Sequence, residues 1–179
     1  IPILMEMQIR GVRIDHTVRM QAGEECMKEM GKAQVELERV IGRPVNVMSP
    51  KQLKELLYGE MKLPARYSRM RGTETTDEEA IEALSLKYPS PIFDLILTIR
   101  RNRKLLGTYL TDEGERMRCS YVITGTETGR LSSRESVYGR GTNLQNIPRG
   151  DIVRSVFIPD EGRIFINVDL SQAEARAVA

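Results

Sequence analysis

The apolar positions along this chain follow two rhythms. Between His16 and Ile41 they recur at Val18, Ala22, Cys26, Met30, Ala33, Leu37 and Val40. Steps of three and four residues place one apolar stripe along a single long helix. Gly42 and Pro44 end it, and Asp15 and Thr17 both stand where its N-cap belongs. Ser49-Pro50 opens a short helix through LKELLY, which Gly59 stops. Ser90-Pro91 opens a longer one to about Leu110, with Ile92, Leu95, Ile96, Ile99, Leu106 and Tyr109 apolar. Between these two, Thr76 and Glu79 have the spacing of a capping box ahead of a helix over 77–87. Residues 60–75 are polar and Arg-rich without a period, which predicts a loop, and residues 1–15 read as a short apolar stretch with a turn at Gly11.

Beyond Thr111 the helical period gives way to short β-like runs, CSYVI (119–123), SVFI (155–158) and RIFINV (163–168), separated by Gly- and Thr-containing loops. The expected fold class is therefore α+β: a helical part, then a part with antiparallel strands, with the change near residues 111–116. The last run leads into Asp169, and Ser171 and Glu174 then have capping-box spacing before an Ala-rich helical stretch. That order puts a carboxylate at a strand end, where a divalent ion can be held, and a second one helical turn later. An isolated Asp in that place more commonly caps the following helix.

Composition narrows the function classes. The chain has 179 residues, enough for one domain or two small ones, and 40% hydrophobic with 29% charged residues is ordinary for a soluble globular protein. A net charge of +2 means that any nucleic-acid footprint must be local. Cys26 and Cys119 match no metal spacing, which suits a reduced, cytoplasmic setting, and a single histidine, His16, argues against His-based zinc or triad chemistry. No apolar run approaches a membrane span. The chain begins Ile-Pro rather than Met, so we expect it to derive from something longer.

Local basic and amide groups supply the candidate chemistry. Arg100, Arg101, Arg103 and Lys104 place four cations in five helical residues, either a solvated face or a grip on phosphates. Arg130 lies in TGRLSS (128–133) and suits the minor-groove edge, where purine N3 and pyrimidine O2 accept at every base pair. Asn143, Gln145 and Asn146, in TNLQNIPR (142–149), carry amides that both donate and accept.

Taken together and in order, the opening ME-x-x-x-R-G-V-x-I-D (5–15), SPKQL (49–53), RRNRKLLGTY (100–109), TGRLSS, NLQNIP and DLSQAEAR (169–176) resemble the family A DNA polymerases. The resemblance implies a polymerase start at residues 1–15, a helical thumb at 16–115 and the N-terminal part of a palm at 116–179, ending at the first catalytic motif. It implies that Asp169 is the catalytic carboxylate and, with the Leu170 carbonyl, a ligand to two Mg²⁺ ions shared with a carboxylate outside this chain. It implies Gln172 and Glu174 for the dNTP, with Glu174 rejecting ribonucleotides and so arguing against a single-subunit RNA polymerase. Arg100, Lys104, Arg130, Asn143, Gln145, Asn146, Arg149 and Arg154 are implied in DNA contact.

Leu170, Ala173 and Ala175 stand where the family has a bulky aromatic residue, Ile and Leu, which loosens packing around the nucleotide. That divergence suits a phage-type enzyme. The fingers and the second catalytic Asp have no counterpart in these 179 residues. The expected partners are therefore primer–template DNA, dNTP and a C-terminal fingers and palm polypeptide of the same polymerase, in a bacterial or phage-infected cell and with no membrane. The competing expectation is a non-catalytic duplex-binding module that kept the thumb.

Overall fold

A computed structural model describes residues 2–110, 114–136, 141–148, 150–169, 171, 172 and 176. The chain divides into two compact units: residues up to His16 together with those from Gly114 onward, and Thr17–Glu113. It mixes helices with small antiparallel sheets, as the α+β expectation holds.

In the helical unit, α2 (His16–Ile41) buries Ala22, Cys26, Ala33 and Leu37 of the expected stripe, while Val40 turns outward at 40% exposed. Helix α3 (Pro50–Lys54) continues as a π-helical turn over Glu55–Glu60. Ser49 caps α3 as expected, its Oγ accepting from Gln52 N at 3.4 Å. Ser90 does the same for α5 (Pro91–Leu105), accepting from Ile92 N at 3.4 Å, and α5 also ends in a π-helical turn, Leu106–Leu110. Leu37, Val45, Leu53, Leu57, Ile81 and Phe93 interlock in one core. Each such buried side chain contributes about 1.5–3 kcal/mol of transfer free energy, which propensity alone could not supply.

Two expectations fail in this unit for local reasons. Helix α4 (Glu78–Lys87) is capped by Asp77, whose Oδ1 accepts from Ala80 N at 2.9 Å, and not by a Thr76–Glu79 box. Thr76 is buried, and a carboxylate one residue later brings negative charge to the positive end of the helix. Residues 60–75 are not all loop either. Arg66–Tyr67 (β2) pairs with Glu74–Thr75 (β3) around a turn in which Ser68 N donates to Thr73 O at 2.8 Å. Two-residue strands carry no period, so the pattern could not reveal them.

In the other unit, Arg116–Met117 (β4), Val12–Ile14 (β1) and Phe157–Ile158 (β7) form a three-stranded antiparallel sheet among the described residues, in the order β4-β1-β7. Val12 pairs with Met117 and Ile14 with Phe157. Ahead of β1, Pro2–Arg10 forms helix α1, which the short apolar stretch did not announce. None of its residues is buried, and its C-terminus is held by an arginine: Arg118 Nε donates to Ile9 O at 2.9 Å. Gly11 follows at φ +64°, where a Cβ would stand 2.6 Å from Met117 O. Only glycine permits both the turn and that approach.

The apolar run 163–168 is not a strand here. Ile164, Ile166 and Val168 are each 78% exposed and Phe165 is 59% exposed. A strand must pair its N–H and C=O groups with a neighbour, and no described strand lies beside this segment. Asp169 therefore follows an exposed segment instead of ending a strand.

Candidate nucleic-acid interface

Ser120–Val122 (β5) and Ser132–Arg134 (β6) form a hairpin in the register Ser120↔Arg134, Tyr121↔Ser133, Val122↔Ser132. Its connecting loop carries Arg130, which is exposed. The loop is folded on itself: Gly129 N donates to Thr126 O at 3.2 Å, Thr126 Oγ1 donates to Arg130 O at 2.9 Å, and Gly129 takes φ +72°. The main chain on either side of the guanidinium is thus fixed before any ligand arrives.

The second element is a short 3₁₀ helix, Leu144–Asn146. Asn143 is its N-cap, with Oδ1 accepting from Gln145 N at 3.1 Å. Ser133 Oγ, on β6, donates to the same Oδ1 and accepts from Gln145 N at 3.3 Å. The Gln145 side chain returns to the hairpin, Nε2 donating to Leu131 O at 3.1 Å. Hydrogen bonds therefore join TGRLSS and NLQNIP into one surface that presents Arg130, Gln145 and Asn146, all exposed. Asn143 is a structural cap within it. That role was legible from the preference of Asn for N-caps, but base contact was the reading its amide suggested first.

The surface is anchored to the segment that follows β4 at Gly141, where φ is +89° and a Cβ would stand 2.0 Å from Arg118 O. Thr142 N donates to that same carbonyl at 3.2 Å. Neither Gly141 nor Ser133 was singled out by sequence, because each matters through an approach between segments far apart in the chain. On β5 of the hairpin, burial first and the Cys119 thiol second push the Tyr121 phenol up to about 12, so it stays protonated at any ordinary pH. The Arg116 guanidinium hydrogen-bonds Asp160 and holds that carboxyl below its usual range. Arg154 is exposed and its Nε donates to Pro148 O at 3.2 Å.

On α5 the basic cluster divides. Arg101, Arg103 and Lys104 are exposed. Arg100, implied in DNA contact, instead turns inward. Its Nε donates to Val47 O at 3.0 Å, its Nη1 donates to Thr76 O, and burial lowers its proton affinity. A guanidinium committed to two main-chain carbonyls braces the helical unit and does not project from it. Its neighbour Asn102 is fully buried, its Nδ2 donating to Glu29 Oε2 at 3.2 Å, so α5 has a fixed inner face.

Asp169 is exposed, and Gln172 is exposed at φ +50° with its carbonyl accepting from Arg176 N at 3.0 Å. Leu170, Glu174 and Arg149 lie outside the described residues. Among the described residues no three His, Cys, Asp or Glu side chains gather to hold a metal ion. Asp169 offers the hard oxygen donors that Mg²⁺ takes, and so fits one share of a site.

The family model for DNA polymerase family A matches residues 17–179. This chain belongs to the family A DNA polymerases. Among its relatives, DNA polymerase I of Caldicellulosiruptor bescii is 34% identical across 100% of this chain and 21% of that protein. The thermostable DNA polymerase I of Thermus filiformis is 35% identical across 99% of the chain and 22% of the relative. The chain thus spans about a fifth of the length of the polymerases it matches. Among solved structures, the POL domain of Pol1 from M. smegmatis, in complex with DNA primer–template and dNTP, superposes with a TM-score of 0.70 at 30% identity. That match covers 89% of this chain and 28% of the mycobacterial one. Among the described residues no helix is long and apolar enough to cross a membrane.

Proposed function

We propose that this family A chain supplies the thumb (16–115) and the first part of the palm (116–179, with residues 1–15) of a template-directed DNA polymerase. Such an enzyme extends a primer by attack of its 3′-hydroxyl on the α-phosphate of a dNTP, releasing pyrophosphate. The observation that carries this reading is the hydrogen-bonded union of the TGRLSS hairpin with the NLQNIP helix, the two segments that present the exposed Arg130 and Gln145. Arg130 and Gln145 donate to minor-groove acceptors present at every base pair, which checks pair geometry without reading sequence. Lys104, Arg149 and Arg154 neutralise phosphates, and Asn146 contacts the backbone or a base edge. Gln172 lies near the primer terminus, and Glu174 sits beneath the incoming sugar and rejects a 2′-hydroxyl.

Asp169 and the Leu170 carbonyl would hold Mg²⁺, which when bound activates the 3′-hydroxyl and steadies the triphosphate. One carboxylate cannot run a two-ion reaction by itself, so a second acidic ligand and the fingers are assigned to a C-terminal fingers and palm polypeptide of the same polymerase. The exposed Ile164, Ile166 and Val168 support that partner. In an extended chain they share one face, opposite Arg163, Phe165, Asn167 and Asp169. A neighbouring strand would pair this segment, bury the apolar face and leave Asp169 turned toward the other. The bacterial relatives suit a bacterial or phage-infected cytoplasm.

Primer extension with Mg²⁺ and dNTPs tests the reading, on the chain with its C-terminal polypeptide and beside Asp169→Asn. Extension that disappears in Asp169→Asn is expected, and extension indifferent to it would sink the assignment. A non-catalytic duplex-binding module that kept the thumb is the second reading. Tight duplex binding without extension under any complementation would select it.

A further inference from the structure

Ser133 is 6% exposed and sits where the hairpin and the 3₁₀ helix share hydrogen bonds. Its hydroxyl donates to Asn143 Oδ1 and accepts from Gln145 N at 3.3 Å. Two residues earlier, Leu131 O accepts from Gln145 Nε2 at 3.1 Å. Gln145 is therefore gripped twice from one segment: Ser133 holds its main chain and Leu131 holds its side chain. With one N–H committed to Leu131, the amide retains its second N–H and Oε1 for a base edge.

We propose that Ser133 is a positioning residue for nucleic-acid recognition: its buried hydroxyl sets the place and angle at which Gln145 presents its amide to the minor groove. The inference rests on the reading of Gln145 as a DNA contact. Removing the hydroxyl orphans nothing, because Gln145 N and Asn143 Oδ1 keep their own bond at 3.1 Å. The fold should therefore survive the change, and the loss should appear in binding.

Fluorescence anisotropy with a labelled primer–template duplex tests this on the 179-residue chain. The set is Ser133→Ala, Ser133→Thr, Gln145→Ala and the Ser133→Ala/Gln145→Ala double variant. Loss of one oriented hydrogen bond predicts about three- to tenfold weaker binding for Ser133→Ala. Ser133→Thr, which keeps the hydroxyl, should restore affinity, and the double variant should bind no more weakly than Gln145→Ala. The slope of log K against log salt should not change, since a base-edge contact releases no counterion. Parental affinity in Ser133→Ala, or losses that multiply in the double variant, would overturn the proposal. Parental affinity in Gln145→Ala is a separate signature: it removes the minor-groove role of Gln145 itself, and the Ser133 inference with it.

Discussion

Two glycines separate the cost of backbone handedness from the cost of a close approach. Gly129 and Gly141 both adopt positive φ, +72° and +89°, in the hairpin loop and beside the 3₁₀ helix. A Cβ at Gly129 meets nothing within 4 Å, whereas at Gly141 it stands 2.0 Å from Arg118 O. Gly129→Ala should lose about 1 kcal/mol, the penalty of a left-handed alanine. Gly141→Ala pays that and more. Its Cβ falls about 1.5 Å short of ordinary non-bonded separation, so the segment must retreat from Arg118. The Thr142 N–Arg118 O bond, at 3.2 Å, breaks when it does. Adding about 1 kcal/mol for that bond and about 1–2 for the displacement gives roughly 3–4 kcal/mol. Urea unfolding followed by far-UV circular dichroism, at constant pH, measures both variants. Gly141→Ala should also weaken primer–template binding more than Gly129→Ala, because the platform carrying Gln145 moves. Equal destabilisation of the two variants would refute the reasoning, since the contact that distinguishes them would then be worth nothing.

Other outcomes follow from the same geometry. Arg100→Ala should destabilise the helical unit by about 2 kcal/mol in thermal or urea melts, having lost two charge-assisted bonds to Val47 O and Thr76 O, and should leave the salt slope of DNA binding unchanged. Lys104→Ala should instead reduce that slope by about 0.9 with no change in melting, as expected for one lost phosphate contact. The Asp160 carboxyl is held low by Arg116, so its contribution is present above the ordinary carboxylate value and disappears as pH falls through the folded one. An acid-unfolding profile should therefore flatten in Asp160→Asn. Tyr121, raised to about 12, favours the folded state below the ordinary phenol value near 10 and loses that preference as pH climbs toward 12. Tyr121→Phe should remove that part of the alkaline slope in a stability titration.

Much of the helical unit was legible because its information is local. The stripe from Ala22 to Leu37 and the Ser-Pro starts at 49 and 90 are fixed by residues within one or two turns of each other, and they form as read. Asp77 and not Thr76 caps α4, its Oδ1 accepting from Ala80 N while Thr76 is buried, and burial of one of two adjacent cap residues is a tertiary outcome. The family was legible for a different reason: its signature segments occur in order along the whole chain.

Long-range geometry was not legible. Sequence marked Arg130 and Gln145 as chemistry-bearing residues, but only the fold brings them onto one platform, through Ser133 and the approach of Gly141 to Arg118. Sequence marked Arg100 and Lys104 alike as cations, and tertiary packing turned one inward and left the other exposed, since the fate of a long side chain depends on which carbonyls lie within reach. The run 163–168 is the converse case. Its alternation is that of a strand, yet a strand exists only when a neighbour accepts its hydrogen bonds, so residue order set its potential and tertiary structure withheld its realisation.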